Sequence, residues 1–192
     1  MSKKSYKREL AEWLIIVTVG LTLYFTGLHT EVIGFVQRTL LATGVITPDY
    51  ESTDKKASYN FEVSNVNGEV VPFSEFQDQT VFLNFWATWC PPCIAEMPDI
   101  EDLYQKKGQE VAFVMISVDE QRETAIRFMA RKGYEMPVYF LESPLPKVYN
   151  TQSIPTTYVI SPTGMIKVEN HGMAKYDTEG FREFLDGLST SD

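Results

Sequence analysis

At 192 residues, with 44% apolar and 22% charged side chains, the chain suffices for one full-sized domain and an appendage, and its core needs no covalent staple. The net charge is −9, and residues 51–192 alone carry 12 Lys+Arg against 22 Asp+Glu, which argues against nucleic acid as a partner because phosphate contacts need clustered basic residues. With two cysteines and two histidines in all, His29 and His171, a zinc site built from paired cysteines lacks its second half, so no resident metal is expected.

The first elements read as membrane apparatus. Lys3, Lys4, Lys7 and Arg8 form a basic cluster in residues 1–12, ahead of an uncharged stretch, WLIIVTVGLTLYFTGLHT, over residues 13–30. As a helix it would rise about 27 Å, close to the roughly 30 Å of hydrocarbon in a bilayer. Trp13 and Tyr24 suit interfacial depths, and the basic cluster holds the N-terminus in the cytoplasm, which puts the rest of the chain on the outer side. A cleaved signal peptide has the same order, though no small-x-small site follows at the usual distance. A buried helix of a soluble domain is the third reading, which the basic flank and the apolar length disfavour. Residues 32–46 (VIGFVQRTLLATGVI) either extend the span or lie as an interfacial helix. Residues 47–57, rich in charge and poor in apolar side chains, read as a linker to a domain over 58–192.

In that domain Tyr59-Asn60-Phe61-Glu62-Val63 alternates like a half-buried strand, and Asn67-Gly68 signals a hairpin before Glu69-Val70-Val71. Thr80–Trp86 is a nearly continuous apolar run, the pattern of a strand covered on both faces. Ile94, Met97, Ile100, Leu103 and Tyr104 recur at helical spacing up to Gly108. Val111–Val118 is a second buried strand and Glu120–Lys132 a helix with Ala125, Phe128 and Met129 on its apolar side. Pro137–Leu141 is extended and Leu145–Tyr149 a short helical turn. Thr157–Ile160 and Met165–Val168 flank the turn Ser161-Pro162-Thr163-Gly164. Thr178–Leu188 closes the chain as a helix. Alternating βαβ followed by an antiparallel ββα end predicts an α/β fold, a mixed sheet with helices on both faces and a β-hairpin at its start.

Both cysteines sit in Trp89-Cys90-Pro91-Pro92-Cys93, directly after the Thr80–Trp86 strand. Cysteines three apart at a helix start can close a disulfide with little backbone movement. As a staple for so short a loop the bond would contribute little, so the pair reads as a redox couple. Pro92 removes a donor and fixes φ, which only a first helical turn tolerates. At a helix N-terminus the unpaired N–H groups stabilise a Cys90 thiolate. Cys90 is therefore expected to attack and Cys93 to resolve.

Phe85-Trp86-Ala87-Thr88-Trp89-Cys90-Pro91-Pro92-Cys93 with Glu96-Met97-Pro98 resembles the active-site segment of membrane-anchored TlpA- and ResA-like thioredoxin-fold proteins. Ser153-Ile154-Pro155-Thr156-Thr157-Tyr158-Val159-Ile160 resembles the segment that carries this fold's cis-proline. The likeness spans about residues 57–188. It implies a thioredoxin-like mixed sheet flanked by helices, behind one transmembrane helix. It also implies a thiol:disulfide oxidoreductase with no cofactor beyond its own disulfide, serving disulfide-containing client proteins such as apocytochrome c on the extracytoplasmic side. Electrons would come from a membrane dithiol donor.

By the same resemblance Trp89, Pro91, Pro92, Ile154 and Pro155 contact substrate, with Ile154 beside Cys90 if the Pro155 bond is cis. Asn84 stands where thioredoxins carry a buried acid, and so cannot take that acid's proton-transfer role. Glu96 stands where ResA-like proteins carry a functional glutamate; the bland reading is a solvated first-turn carboxylate. Trp86 reads as core, Trp89 as partly exposed and His171 as a surface loop residue. Two alternatives remain at this level. One is a thiol peroxidase, suggested by Thr88 two residues before Cys90; the other is a non-redox binding, chaperone or copper-delivery module.

Overall fold

The computed structural model describes residues 3–26, 34, 37, 39, 41, 48, 55–149 and 151–189. Helix α1 (Lys3–Thr26) opens the chain, and its apolar side chains from Trp13 to Leu21, among them Ile15, Ile16 and Val19, stand more than half exposed. The uncharged part of this helix, residues 13–26, rises about 21 Å. Among the described residues no helix is long and apolar enough to cross a membrane. Residues 27–30, which complete the expected 13–30 span, lie outside the described residues, as do most of 32–46 and of the 47–57 linker.

The domain is one seven-stranded sheet in the order β2-β1-β5-β4-β3-β6-β7. Its strands are β1 (Glu62–Asn65), β2 (Val70–Pro72), β3 (Thr80–Trp86), β4 (Val111–Ser117), β5 (Val138–Leu141), β6 (Thr156–Ile160) and β7 (Ile166–His171). Three further helices are α2 (Pro91–Lys107), α3 (Arg122–Lys132) and α4 (Glu179–Ser189). Every residue of β3 is buried, because it lies between parallel β4 and antiparallel β6. An apolar run without alternation is what that position demands.

The expected Tyr59–Val63 strand begins later, at Glu62, and pairs with β5 as well as β2. Tyr59 and Phe61 instead stack on Phe73, which opens a 3-10 turn over Phe73–Phe76. Gly68 takes φ 82 at the hairpin, the left-handed conformation that Asn67-Gly68 announces. Leu145–Tyr149 is not helical: Tyr149 N donates to Pro146 O, a single turn.

The sheet is mixed and flanked by helices, but α2, α3 and α4 all contribute to one core on one face, with Phe82, Trp86, Phe113 and Val159. The steps β3-α2-β4 and β4-α3-β5 run the same way across the sheet, and right-handed crossovers then put both helices on the same side. The opposite face, with Leu83, Phe85, Val114 and Tyr158, is covered by Phe61, Phe73 and Tyr149.

Candidate redox site

Strand β3 ends at Trp86, and its central, doubly covered position fixes where the next residues emerge. Cys90 is the N-cap of α2, with Pro91 and Pro92 filling the first helical positions, where a missing N–H costs nothing. Cys90 and Cys93 form a disulfide with Cα atoms 5.3 Å apart. The backbone N–H of Cys93 points at Cys90 Sγ, 3.3 Å away. One of the helix's orphan donors is thus aimed at the sulfur, the arrangement that favours negative charge there. Cys90 is 4% exposed and Cys93 0%, so any approach from solvent meets Cys90 first. Trp89 beside it is 58% exposed, while Trp86 is wholly buried, as expected of each. Gly34 backs onto this turn: a Cβ there would stand 3.3 Å from Pro91 O.

Across from the sulfur lies the loop before β6. The Ile154–Pro155 peptide bond is cis, and Ile154 O lies 3.6 Å from Cys90 Sγ. Pro155 O accepts from Gly172 N at 2.8 Å, tying the loop to the end of β7. The structure therefore brings Cys90, Cys93, Trp89, Pro91, Pro92, Ile154 and Pro155 to one end of the sheet.

Glu96 is no solvated first-turn carboxylate. It is wholly buried, with Oε1 accepting from Asn84 Nδ2 at 3.0 Å and Oε2 from Ala174 N at 3.2 Å. Burial dominates and pushes its carboxyl up to about 8, while the two donors pull it down and Asp99 nearby raises it. Asn84 also donates to Thr157 Oγ1 at 2.9 Å, so the amide bridges α2 and β6. One helical turn on, Asp99 accepts from Tyr176 N and from Asp177 N; burial raises its carboxyl too. Tyr176 is buried against the same cluster, and its phenol is pushed far above the ordinary value by desolvation first and by Glu96 second.

Two residues were missed from sequence. Asp119, at the end of β4, accepts from Thr88 N (3.0 Å), Thr88 Oγ1 (2.6 Å) and Ser117 Oγ (2.9 Å). It fastens the turn that leads to Cys90. The hydroxyl proton of Thr88 is thereby committed to Asp119, whereas a peroxidase reading would aim it at the sulfur. Parallel pairing of β3 with β4 puts the two loops side by side, and only the Ser-x-Asp spacing hinted at it. The other is His171, expected in a surface loop but found as the last residue of β7, with Nδ1 3.1 Å from Thr156 Oγ1. A cleft of about 520 Å³ lies beside Trp89, walled by Thr88, Val118, Asp119 and Thr124. Among the described residues no group of three or more His, Cys, Asp or Glu could hold a metal ion.

The AhpC/TSA family model matches residues 54–169. The chain is 35% identical over 130 residues to the thiol-disulfide oxidoreductase ResA of Halalkalibacterium halodurans, covering 66% of this chain and 73% of that protein. It is 32% identical to the ResA of Geobacillus kaustophilus over 90% of each chain. Among solved structures, a thiol:disulfide interchange protein of Chlorobium tepidum superposes with a TM-score of 0.59 at 24% identity, over 72% of this chain and 99% of that one. StoA of Bacillus subtilis does so at 0.53 and 22% identity, over 66% of this chain and 93% of its own. These two likenesses are of fold.

Proposed function

The chain belongs to the ResA-like thiol-disulfide oxidoreductases of the AhpC/TSA family, and from that membership we propose that it is a membrane-anchored reductant working outside the cytoplasmic membrane. It is a thiol:disulfide oxidoreductase, and its redox group is its own Cys90–Cys93 pair. The observation that carries the proposed mechanism is the placing of Cys90 Sγ between Cys93 N–H and the Ile154 carbonyl.

In the dithiol form Cys90 ionises at the start of α2 and its thiolate attacks a client disulfide. A Cys90–client S–S bond forms and the second client sulfur leaves as a thiolate, which takes up a proton. Cys93 then gives up its proton and attacks Cys90 Sγ. The Cys90–Cys93 bond forms and the client's remaining sulfur departs as a thiol. Two electrons and two protons have passed from the pair to the client. Glu96, three residues after Cys93 on the same helix, is the proton acceptor for Cys93. Burial lifts its carboxyl to about 8, so it accepts in its ionised form, whose share grows as pH rises toward that value. Ile154, behind the cis bond, presents backbone to an extended client segment, as in strand addition, with Trp89, Pro91 and Pro92 on the other side of the sulfur. A membrane dithiol donor restores the pair.

The basic cluster before the apolar run supports a cytoplasmic N-terminus, and the resemblance to ResA-like proteins supports apocytochrome c haem-site cysteines among the clients. In that compartment disulfides persist, so a reductant there needs its own electron supply.

The test is a trap. With Cys93→Ser, a client joined to Cys90 should accumulate as a mixed disulfide stable to gel electrophoresis without reductant. Accumulation only in Cys90→Ser, through Cys93, would overturn the order of attack. Titration against thiol buffers decides direction: a potential near about −270 mV or below fits a reductant, and one near about −120 mV an oxidant.

A further inference from the structure

We propose that His171 is a positioning residue for client binding: its Nδ1–H holds the Thr156 hydroxyl, and through it the Ile154–Pro155 loop, in the shape that pairs with a client segment. The inference rests on the reading of Ile154 as the pairing edge.

Proton counting fixes the direction of the bond. Thr156 Oγ1 has a single proton, and it donates that proton to Ser153 O at 2.7 Å, closing the loop Ser153–Thr156 on itself. The same oxygen lies 3.1 Å from His171 Nδ1. With the hydroxyl proton spent on Ser153, Nδ1 must carry a hydrogen and Thr156 Oγ1 must accept it. With the hydrogen of the neutral ring on Nδ1, Nε2 has none to donate, so Glu169 Oε1, 3.4 Å from Nε2, is a neighbour of the ring and does not hold it. Glu169 is itself fixed by Lys55, whose Nζ lies 2.6 Å from Oε2. Thr156 and His171 are direct partners in the β6–β7 ladder, so the contact is built into the register.

Next to His171, Gly172 N donates to Pro155 O at 2.8 Å. Two consecutive residues at the end of β7 thus grip two consecutive residues of the loop, one through backbone and one through side chain. Ile154, immediately before them, has its carbonyl 3.6 Å from Cys90 Sγ. His171 touches neither sulfur, so its loss should weaken docking and spare the exchange chemistry.

The test uses the full chain in detergent, reduced with dithiothreitol and turned over on a decapeptide closed by a Cys-Ala-Ala-Cys disulfide. His171→Ala should raise KM about three- to tenfold, the loss of one hydrogen bond, and move kcat by less than twofold. His171→Asn, whose amide N–H₂ reaches the place of Nδ1, should restore KM, while His171→Gln, whose amide reaches only the place of Nε2, should not. Thr156→Val, which loses the Ser153 bond as well, should raise KM at least as much as His171→Ala. Imidazole ¹⁵N shifts should show hydrogen on Nδ1 in the neutral ring.

A KM unchanged in His171→Ala, a fall in kcat alone, or a neutral ring protonated only on Nε2 overturns the proposal. Peptides N-methylated one residue at a time around the cysteines separate it from the reading beneath it. If no methylation raises KM in the wild-type chain, Ile154 does not pair with clients and both fall. If methylation raises KM but His171→Ala does not, the pairing stands and the role of His171 falls.

Discussion

Asn84 and Glu96, twelve residues apart in sequence, meet in the interior with the amide nitrogen 3.0 Å from the carboxyl oxygen. The position that holds an acid in thioredoxins here holds an amide, and the acid of the pair comes from α2. Moving the carboxyl onto the cysteine helix puts a buried proton site three residues after Cys93.

That site makes stability depend on pH. The Glu96 carboxyl rises from its ordinary 4.5 in the unfolded chain to about 8 in the folded one. The folded state therefore binds the proton more tightly, and its stabilisation is complete below about pH 4.5 and lost as pH climbs through 8. At about 1.4 kcal/mol per unit this amounts to several kcal/mol. Asp99 is shifted the same way by burial, against the pull of its two loop N–H donors. In urea unfolding of the oxidised chain between pH 5 and 8, the wild type should lose stability steadily and Glu96→Gln should lose far less. Equal slopes would mean that Glu96 is ionised in the fold.

Much of this was legible from local pattern. Thr80–Trp86 needed no partner to declare itself, since an apolar run of β-forming residues is buried wherever it lands. The Cys-x-x-Cys spacing, the prolines at the start of α2 and the Asn67-Gly68 turn are equally local. What was not legible depends on pairing across the sheet. The burial of Glu96 follows from the loop carrying Ala174 and Tyr176 folding over α2, 78 residues away from Glu96 at the Ala174 contact. The strand position of His171 follows from β7 continuing three residues beyond its apolar stretch to reach Thr156. Helices gathered on one face follow from the strand order, which element order alone leaves open.

Asp119 gives a second prediction. One carboxylate takes both donors of Thr88 and the hydroxyl of Ser117, so truncation leaves three donors without their acceptor beside the cysteine loop. Asp119→Ala should lower the stability of the oxidised chain by about 1–3 kcal/mol, and Asp119→Asn by less, since one oxygen remains. Amide exchange at Thr88 and Trp89 should quicken in step. Unchanged exchange there would show the clamp to be dispensable.

The orientation of the chain gives a third. If residues 13–30 span the bilayer behind Lys3, Lys4, Lys7 and Arg8, the chain should stay with membranes through alkaline carbonate. Protease added to spheroplasts should remove the domain, and protease added to inside-out vesicles should not. Release by carbonate, or the reverse protection, removes the anchor or its direction.

Gly172 and Gly180 form a matched pair in which the same substitution should act with opposite sign. Gly172 has φ +97, outside what a side chain readily adopts, and no atom lies within 4 Å of where a Cβ would stand. The whole cost of Gly172→Ala is therefore backbone conformation, about 1–2 kcal/mol, and none of it is collision. Gly180 sits in the first turn of α4, also with nothing within 4 Å, but in ordinary helical backbone. Gly180→Ala should stabilise by about 0.5 kcal/mol, because alanine loses less entropy on entering a helix. Only the first has a functional shadow, since Gly172 N holds Pro155 O. Gly172→Ala should thus raise KM for a disulfide peptide in addition to lowering the unfolding midpoint, while Gly180→Ala raises the midpoint and leaves KM alone. A destabilised Gly172→Ala chain with wild-type KM would show that the β7 end supports the fold without shaping the client loop.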